Sequence, residues 1–155
     1  MIIRGNKLTD GTVMEIGRFT ILWNCLERFA FDNNCSALKI KENYNNIFIN
    51  EEAQRSLAAV LNERRGWFGQ IISEYVDTGL YPGNAHRGNE DDSVLIQKFM
   101  EQGEGDLRCG CLLTIYRLRN NLMHGLKCVE ELDGQLELFQ AVNNVLESVE
   151  RVQEE

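Results

Sequence analysis

The stretch Arg119-Asn120-Asn121-Leu122-Met123-His124-Gly125 holds the densest chemistry in this chain. It sets a permanent cation, two amides and one of only two histidines within two turns of helix. A guanidinium stays charged at every working pH and offers fixed donors to anionic oxygens. An imidazole changes charge near neutrality and can take or give a proton. Together they suit a phosphodiester, with one group holding the phosphate and the other moving protons. The other histidine, His86, lies beside Arg87 in a glycine-rich segment and reads as an exposed loop residue.

The motif must ride on a helix. At about 100° per residue, Cys111, Ile115, Leu118 and Leu122 share one side, flanked by Leu112, Tyr116 and Met123. That side reads as the core face. Arg117, Asn120, Asn121 and His124 fall opposite it. This polar stripe contains no lysine or glutamate, the usual occupants of a wet helix face, so it reads as a buried or shared surface such as a dimer contact. Arg119 falls about 140° from His124, near the apolar side. Either the helix unwinds before Gly125, or Arg119 sits at the core edge paired with an acid such as Glu27.

The elements around the motif are helical nearly throughout. Asp10 is a candidate cap for a first helix whose apolar positions Val13, Ile16, Phe19, Trp23, Leu26 and Ala30 recur every three or four residues, with Asn33-Asn34 ending it. Asn43 to Asn50 reads as a loop in which Ile47-Phe48-Ile49 packs locally. Asn50-Glu51-Glu52 starts a second helix running to about Val76, with Gly66 and Gly69 marking a kink or close crossing. Thr78 to Asp91 is a long loop, and a short helix follows from Asp92 or Ser93 to about Glu101. Gly103-Glu104-Gly105 breaks it, Asp106 caps the motif helix, and Gly125 is placed to end it. A last amphipathic helix spans Asp133 to Gln153, with Leu136, Phe139, Val142, Val145, Leu146 and Val149 inward. These patterns predict an all-α, up-and-down bundle of four to five helices in one domain, residues 1–155.

At 155 residues the chain can bury a core without disulfides or metal. The five cysteines are an odd number set within helical patterns, as expected of reduced thiols packed as small apolar residues. Cys109-Gly110-Cys111 lacks CxxC spacing and a second cluster, so no metal site and no cofactor are expected. No apolar run approaches the roughly 20 residues that span a bilayer, and the N-terminus lacks a signal segment, so a cytoplasmic protein without membrane contact is expected. The net charge of −8 opposes nonspecific polyanion binding, yet it is unevenly spread. Residues 129–155 carry −7, whereas 106–128 carry +3. A basic motif helix in an acidic chain fits a confined anionic site rather than a broad nucleic-acid groove.

The string Tyr116-Arg117-Leu118-Arg119-Asn120-Asn121-Leu122-Met123-His124-Gly125 resembles the signature helix of the HEPN superfamily, in which an Arg, commonly followed by a polar residue, precedes a His by four to six residues. The aromatic-rich opening helix, Phe19 to Phe29, and the all-helical layout are similar too. Some ten residues carry the specific match. The resemblance implies a metal-independent endoribonuclease, a toxin or antiviral effector acting as a homodimer whose two motif helices form a composite cleft. His124, Arg119 and Asn120 match the catalytic signature, and Arg117 and Asn121 are candidate substrate-binding residues. It implies RNA, such as tRNA, as substrate, cleaved by 2′-OH attack to a 2′,3′-cyclic phosphate, with a cognate antitoxin as a further partner. Some such toxins carry a tyrosine two residues after the histidine, where a partner modifies them; Leu126 stands there instead. The alternative is a non-catalytic HEPN module that binds a nucleotide or a protein through the same cleft.

Overall fold

In the computed structural model, which describes residues 1–3, 5–63, 89–124 and 133–151, the first helix starts one residue earlier than expected. Thr9, not Asp10, is the cap: its hydroxyl accepts from the Thr12 backbone N–H at 3.3 Å. Asp10 instead sits in the first turn, where its charge complements the positive end of the helix dipole. Helix α1 (Asp10–Ala30) buries Thr12, Phe19, Trp23 and Leu26, and half-buries Val13, Ile16 and Ala30. Ahead of it, β1 (Ile2–Ile3) pairs antiparallel with β2 (Asn6–Lys7).

The end of α1 is a compact reversal. The Phe31 and Asn33 N–H groups both donate to the Glu27 carbonyl, at 3.1 and 2.9 Å. Asp32 and Asn33 are left-handed, with φ of 51° and 64°, a region that short polar side chains tolerate better than most. The chain turns straight into α2 (Ala37–Asn43), capped by Ser36 accepting from the Lys39 N–H at 3.2 Å. Seven residues hold too few turns for periodicity to reveal, and α2 has no counterpart in the sequence reading.

A 3₁₀ turn, Tyr44–Asn46, leads to β3 (Ile47–Phe48). Of the local packing expected of residues 47–49, Ile47 and Ile49 are buried, whereas Phe48 between them is exposed. Helix α3 (Glu51–Glu63) starts where expected, with Asn50 Oδ1 accepting from the Ala53 N–H at 2.9 Å. Its expected continuation to Val76, the Gly66–Gly69 kink and most of the Thr78–Asp91 loop lie outside the described residues. The next helix, α4 (Asn89–Met100), begins at Asn89, so the tail of that expected loop is helical. A turn with left-handed Gln102 and Gly105 then delivers the chain to α5 (Arg108–His124).

After a 3₁₀ turn at Asp133–Gln135, α6 covers Leu136–Ser148. It stops short of the expected Gln153 because Val149 is extended and β4 (Glu150–Arg151) pairs antiparallel with β3, Ile47 opposite Arg151. Among the described residues the protein is all-α, with six α-helices and two short ladders. Helix α6 packs on α1 and α3, and α5 packs on α4 and α2. Among the described residues no helix is long and apolar enough to cross a membrane.

The expected two-faced motif helix is not what forms. Leu112 and Ile115 are buried as anticipated, but so are Leu113, Thr114 and Arg117 on the other side. Helix α5 is enclosed because α4 covers the face that was to be polar. Gly110 permits that approach: a Cβ there would lie 2.2 Å from the Leu95 carbonyl oxygen and 2.9 Å from Phe99 Cβ. Thr114 satisfies its buried hydroxyl on the Gly110 carbonyl at 2.7 Å.

Asp106 anchors the start of α5 as expected, accepting from the Arg108 N–H at 3.0 Å. Arg108 then donates to the Ile47 carbonyl at 2.6 Å and lies 5.5 Å from the Tyr44 ring centre. Cys25, Cys35, Cys109 and Cys111 are free thiols as expected; Cys109 and Cys111 are packed inside, Cys35 is half-buried and Cys25 is exposed, while Cys128 lies outside the described residues. Burial pushes the Cys109 thiol up to about 11 and that of Cys111 further.

Two outcomes follow. Gly110→Ala forces α4 and α5 apart and lowers unfolding free energy by at least about 1–3 kcal/mol, read from urea midpoints. Asp106 is the second. Its hydrogen bonds from Arg108 hold the carboxyl below the usual carboxylate range. A depressed folded value stabilises at pH above the unfolded value of about 3.9 and is lost as pH falls through the folded one. The stability gap between wild type and Asp106→Asn therefore narrows below about pH 4, as thermal melts across that range will show.

Candidate functional site

The second half of α5 presents its chemistry to two different neighbours. Arg117 turns toward α4 and is 1% exposed, the bulkiest of the fully buried side chains. Its Nη2 donates to Asp92 Oδ2 at 3.1 Å, and Asp92 is itself buried. Lys41 from α2 reaches the other carboxylate oxygen at 2.8 Å. A guanidinium in a hydrocarbon interior demands such a counter-charge, because an uncompensated one costs several kcal/mol, of order 3–5. Arg117, on the stripe expected to be a buried or shared surface, is buried within its own chain, in an ion cluster joining α2, α4 and α5.

Arg119 lies on the other side of the helix and about one-third exposed. Its Nη2 stands 4.0 Å from Glu27 Oε1 of α1, and its Nη1 donates to Asn120 Oδ1 at 3.2 Å. Of the two alternatives for Arg119, the second holds. The helix continues through to His124, and Arg119 is the core-edge arginine facing Glu27. Asn120 is buried, its amide oxygen engaged by the neighbouring guanidinium. His124 is the last residue of α5, one turn beyond Asn120. The side chains of Asn121 and His124, and Gly125, expected to end the helix, lie outside the described residues. So does His86.

Glu27, raised in the sequence only as a partner for Arg119, does more than that. It receives the Trp23 indole N–H as well as facing Arg119. Trp23 in turn stacks between Phe19, at 6.3 Å, and Tyr116 of α5, at 6.4 Å. This aromatic wall presses α1 on α5 and fixes where Glu27 can reach. The turn after α1 brings Cys35 to the same corner. Burial first, then the Glu27 charge, raises its thiol to about 12, with Arg119 opposing. Cys35 is therefore a neutral thiol there, not a nucleophile.

Asp92 and Lys41 escaped the sequence reading for separate reasons. Asp92 looked like a helix start, and nothing in sequence joins it to an arginine 25 positions on. Lys41 sits on the helix that periodicity does not reveal. The corner formed by Arg119, Asn120 and Glu27 combines a partly exposed cation, an amide and a carboxylate, one turn before a helix end that carries an imidazole-bearing residue. Such a set can hold an anionic oxygen and position a proton carrier.

The ion cluster has a measurable signature. Asp92→Asn leaves Arg117 buried without its counter-charge and destabilises by about 3–5 kcal/mol in urea unfolding. Replacing both partners, as Asp92→Leu with Arg117→Met, recovers most of that loss.

Compared with known proteins, the chain matches no family model, no curated protein and no solved structure.

Proposed function

We propose that this protein is a metal-independent endoribonuclease of HEPN type. The observation that carries the reading is the Arg119–Asn120 pair one turn before a helix that ends on His124, with the guanidinium partly open to solvent. That arrangement agrees with the signature resemblance of Arg119, Asn120 and His124.

RNA carries its own nucleophile, so the protein's task is proton transfer and charge stabilisation. In this reading the 2′-OH of one nucleotide attacks the adjacent phosphorus and the 5′-oxygen of the next departs. His124 takes the 2′-OH proton or gives one to the leaving oxygen. Arg119 holds a non-bridging phosphate oxygen as charge builds on it. Asn120, tied to Arg119, orients that guanidinium. The products are a 2′,3′-cyclic phosphate and a 5′-OH. Arg117 supports the site from the far side of the helix and does not contact RNA, because it is buried on Asp92. A structured RNA such as tRNA, a homodimer with a composite cleft, and a cognate antitoxin complete the reading.

A second reading has its own observation. Glu27 faces Arg119 and would repel an incoming phosphate, which favours a non-catalytic module binding a nucleotide or protein.

The deciding experiment incubates the protein with total tRNA in EDTA and maps fragment ends. The ribonuclease reading expects cyclic phosphate ends from wild type. His124→Ala should lower the rate by at least about 100-fold, and Arg119→Ala by about 100–1,000-fold. Intact RNA with wild type, or equal cleavage by His124→Ala, would overturn it. Nucleotide binding without cleavage would favour the second reading.

A further inference from the structure

The outer face of α1 carries a pattern that its own chain does not use. Asp10, Met14, Gly17, Ile21, Asn24 and Arg28 are all exposed, at alternating spacings of four and three. The five steps span 18 residues, 3.6 per step, so the six residues form one straight seam along the outside of the helix. Met14 is 68% and Ile21 66% exposed. A Cβ at Gly17 would meet nothing within 4 Å, so the seam has an open notch at its middle.

Charge is confined to the ends of the seam: Asp10 at the first residue of the helix side and Arg28 in its last turn. The charged neighbours are turned to intramolecular use. Arg18 bonds Glu15 at 3.2 Å and pairs with Glu147 of α6, while Glu27 receives Trp23. Thr20, beside the seam, places its hydroxyl on the Ile16 carbonyl at 3.0 Å. An uncharged centre with opposite charges at its two ends is complementary to itself when reversed.

We propose that this face is an isologous interface with a second copy of the chain, α1 against α1 in antiparallel register. A two-fold axis beside Phe19 sets Asp10 against Arg28 of the other copy, twice. The same register seats Ile21 in the notch at Gly17 and lays Met14 along Asn24. The charge complementarity selects a second copy over any other occupant, because one register satisfies both ends and the central knob together. The interface lies on α1 and is separate from the composite cleft of the ribonuclease reading. It does not rest on the ribonuclease reading.

Sedimentation velocity on the full chain tests it, with circular dichroism confirming the fold of each variant. Wild type is expected to be a dimer at about 100 μM, and Ile21→Glu a monomer, with Kd raised at least about 100-fold. Asp10→Arg and Arg28→Asp each place like charges opposite one another and weaken self-association about tenfold or more. Mixed together, these two variants restore both opposite-charge pairs and form a heterodimer. A monomeric wild type, a dimeric Ile21→Glu, or no heterodimer from the mixture would overturn the antiparallel α1 pairing. A monomeric wild type would leave the face to a different partner.

Discussion

A guanidinium sealed in a hydrocarbon core tolerates only one arrangement, in which a carboxylate meets it and helices close around both. Arg117 and Asp92 form that arrangement here, with Lys41 sharing the carboxylate. Breaking it strands a charge in a low-dielectric interior, so the pair fixes more geometry than its modest net stabilisation suggests. It sets the rotation of α5 about its axis. With Arg117 committed to α4, Arg119, about 200° further round, must emerge toward α1. Asn120 follows beneath it, and the helix ends at His124, one turn further along. The candidate site is thus positioned by an ion pair that takes no part in its chemistry.

Glu27 does on α1 what Asp92 does on α4, in a wetter setting. Its carbonyl ends the helix by accepting from Phe31 and Asn33, and its carboxylate holds Trp23 and faces Arg119. One residue therefore couples the shape of the turn, the aromatic wall and the charge of the site. The same turn returns Cys35 to the corner, where burial keeps the thiol protonated.

Much of this architecture was legible in the residues. Asn50-Glu51-Glu52, Asp106 and the breaks at Gly103–Gly105 gave helix starts and stops, because capping chemistry is local. The apolar spacing of α1 and α6 gave their inward faces. What sequence could not show was decided by tertiary contact. The polar stripe of α5 read as a buried or shared surface such as a dimer contact, but its partner lies within the chain: Arg117 faces Asp92, and Thr114 bonds the backbone of its own helix. The end of α6 was set by β4 pairing with β3, a partner about a hundred residues away. For the site itself, the pairing of Arg119 with Glu27 was among the options, and the fold chose it. The ion cluster behind Arg117 was not, since no local signal links positions 41, 92 and 117.

The packing of the first helix on the last has a consequence for how the molecule assembles. Asn143 of α6 donates to the Glu15 carbonyl and carboxylate on α1, a separation of 128 residues, and α6 also covers α3. For a helical protein these are distant contacts, and their loop-closure entropy slows folding relative to a bundle of sequential neighbours. On the ribosome, the inward faces of α1 and α3 remain uncovered until α6 has been made. During synthesis this protein is a set of apolar helices waiting for their closing piece, exposed to chaperones and to one another.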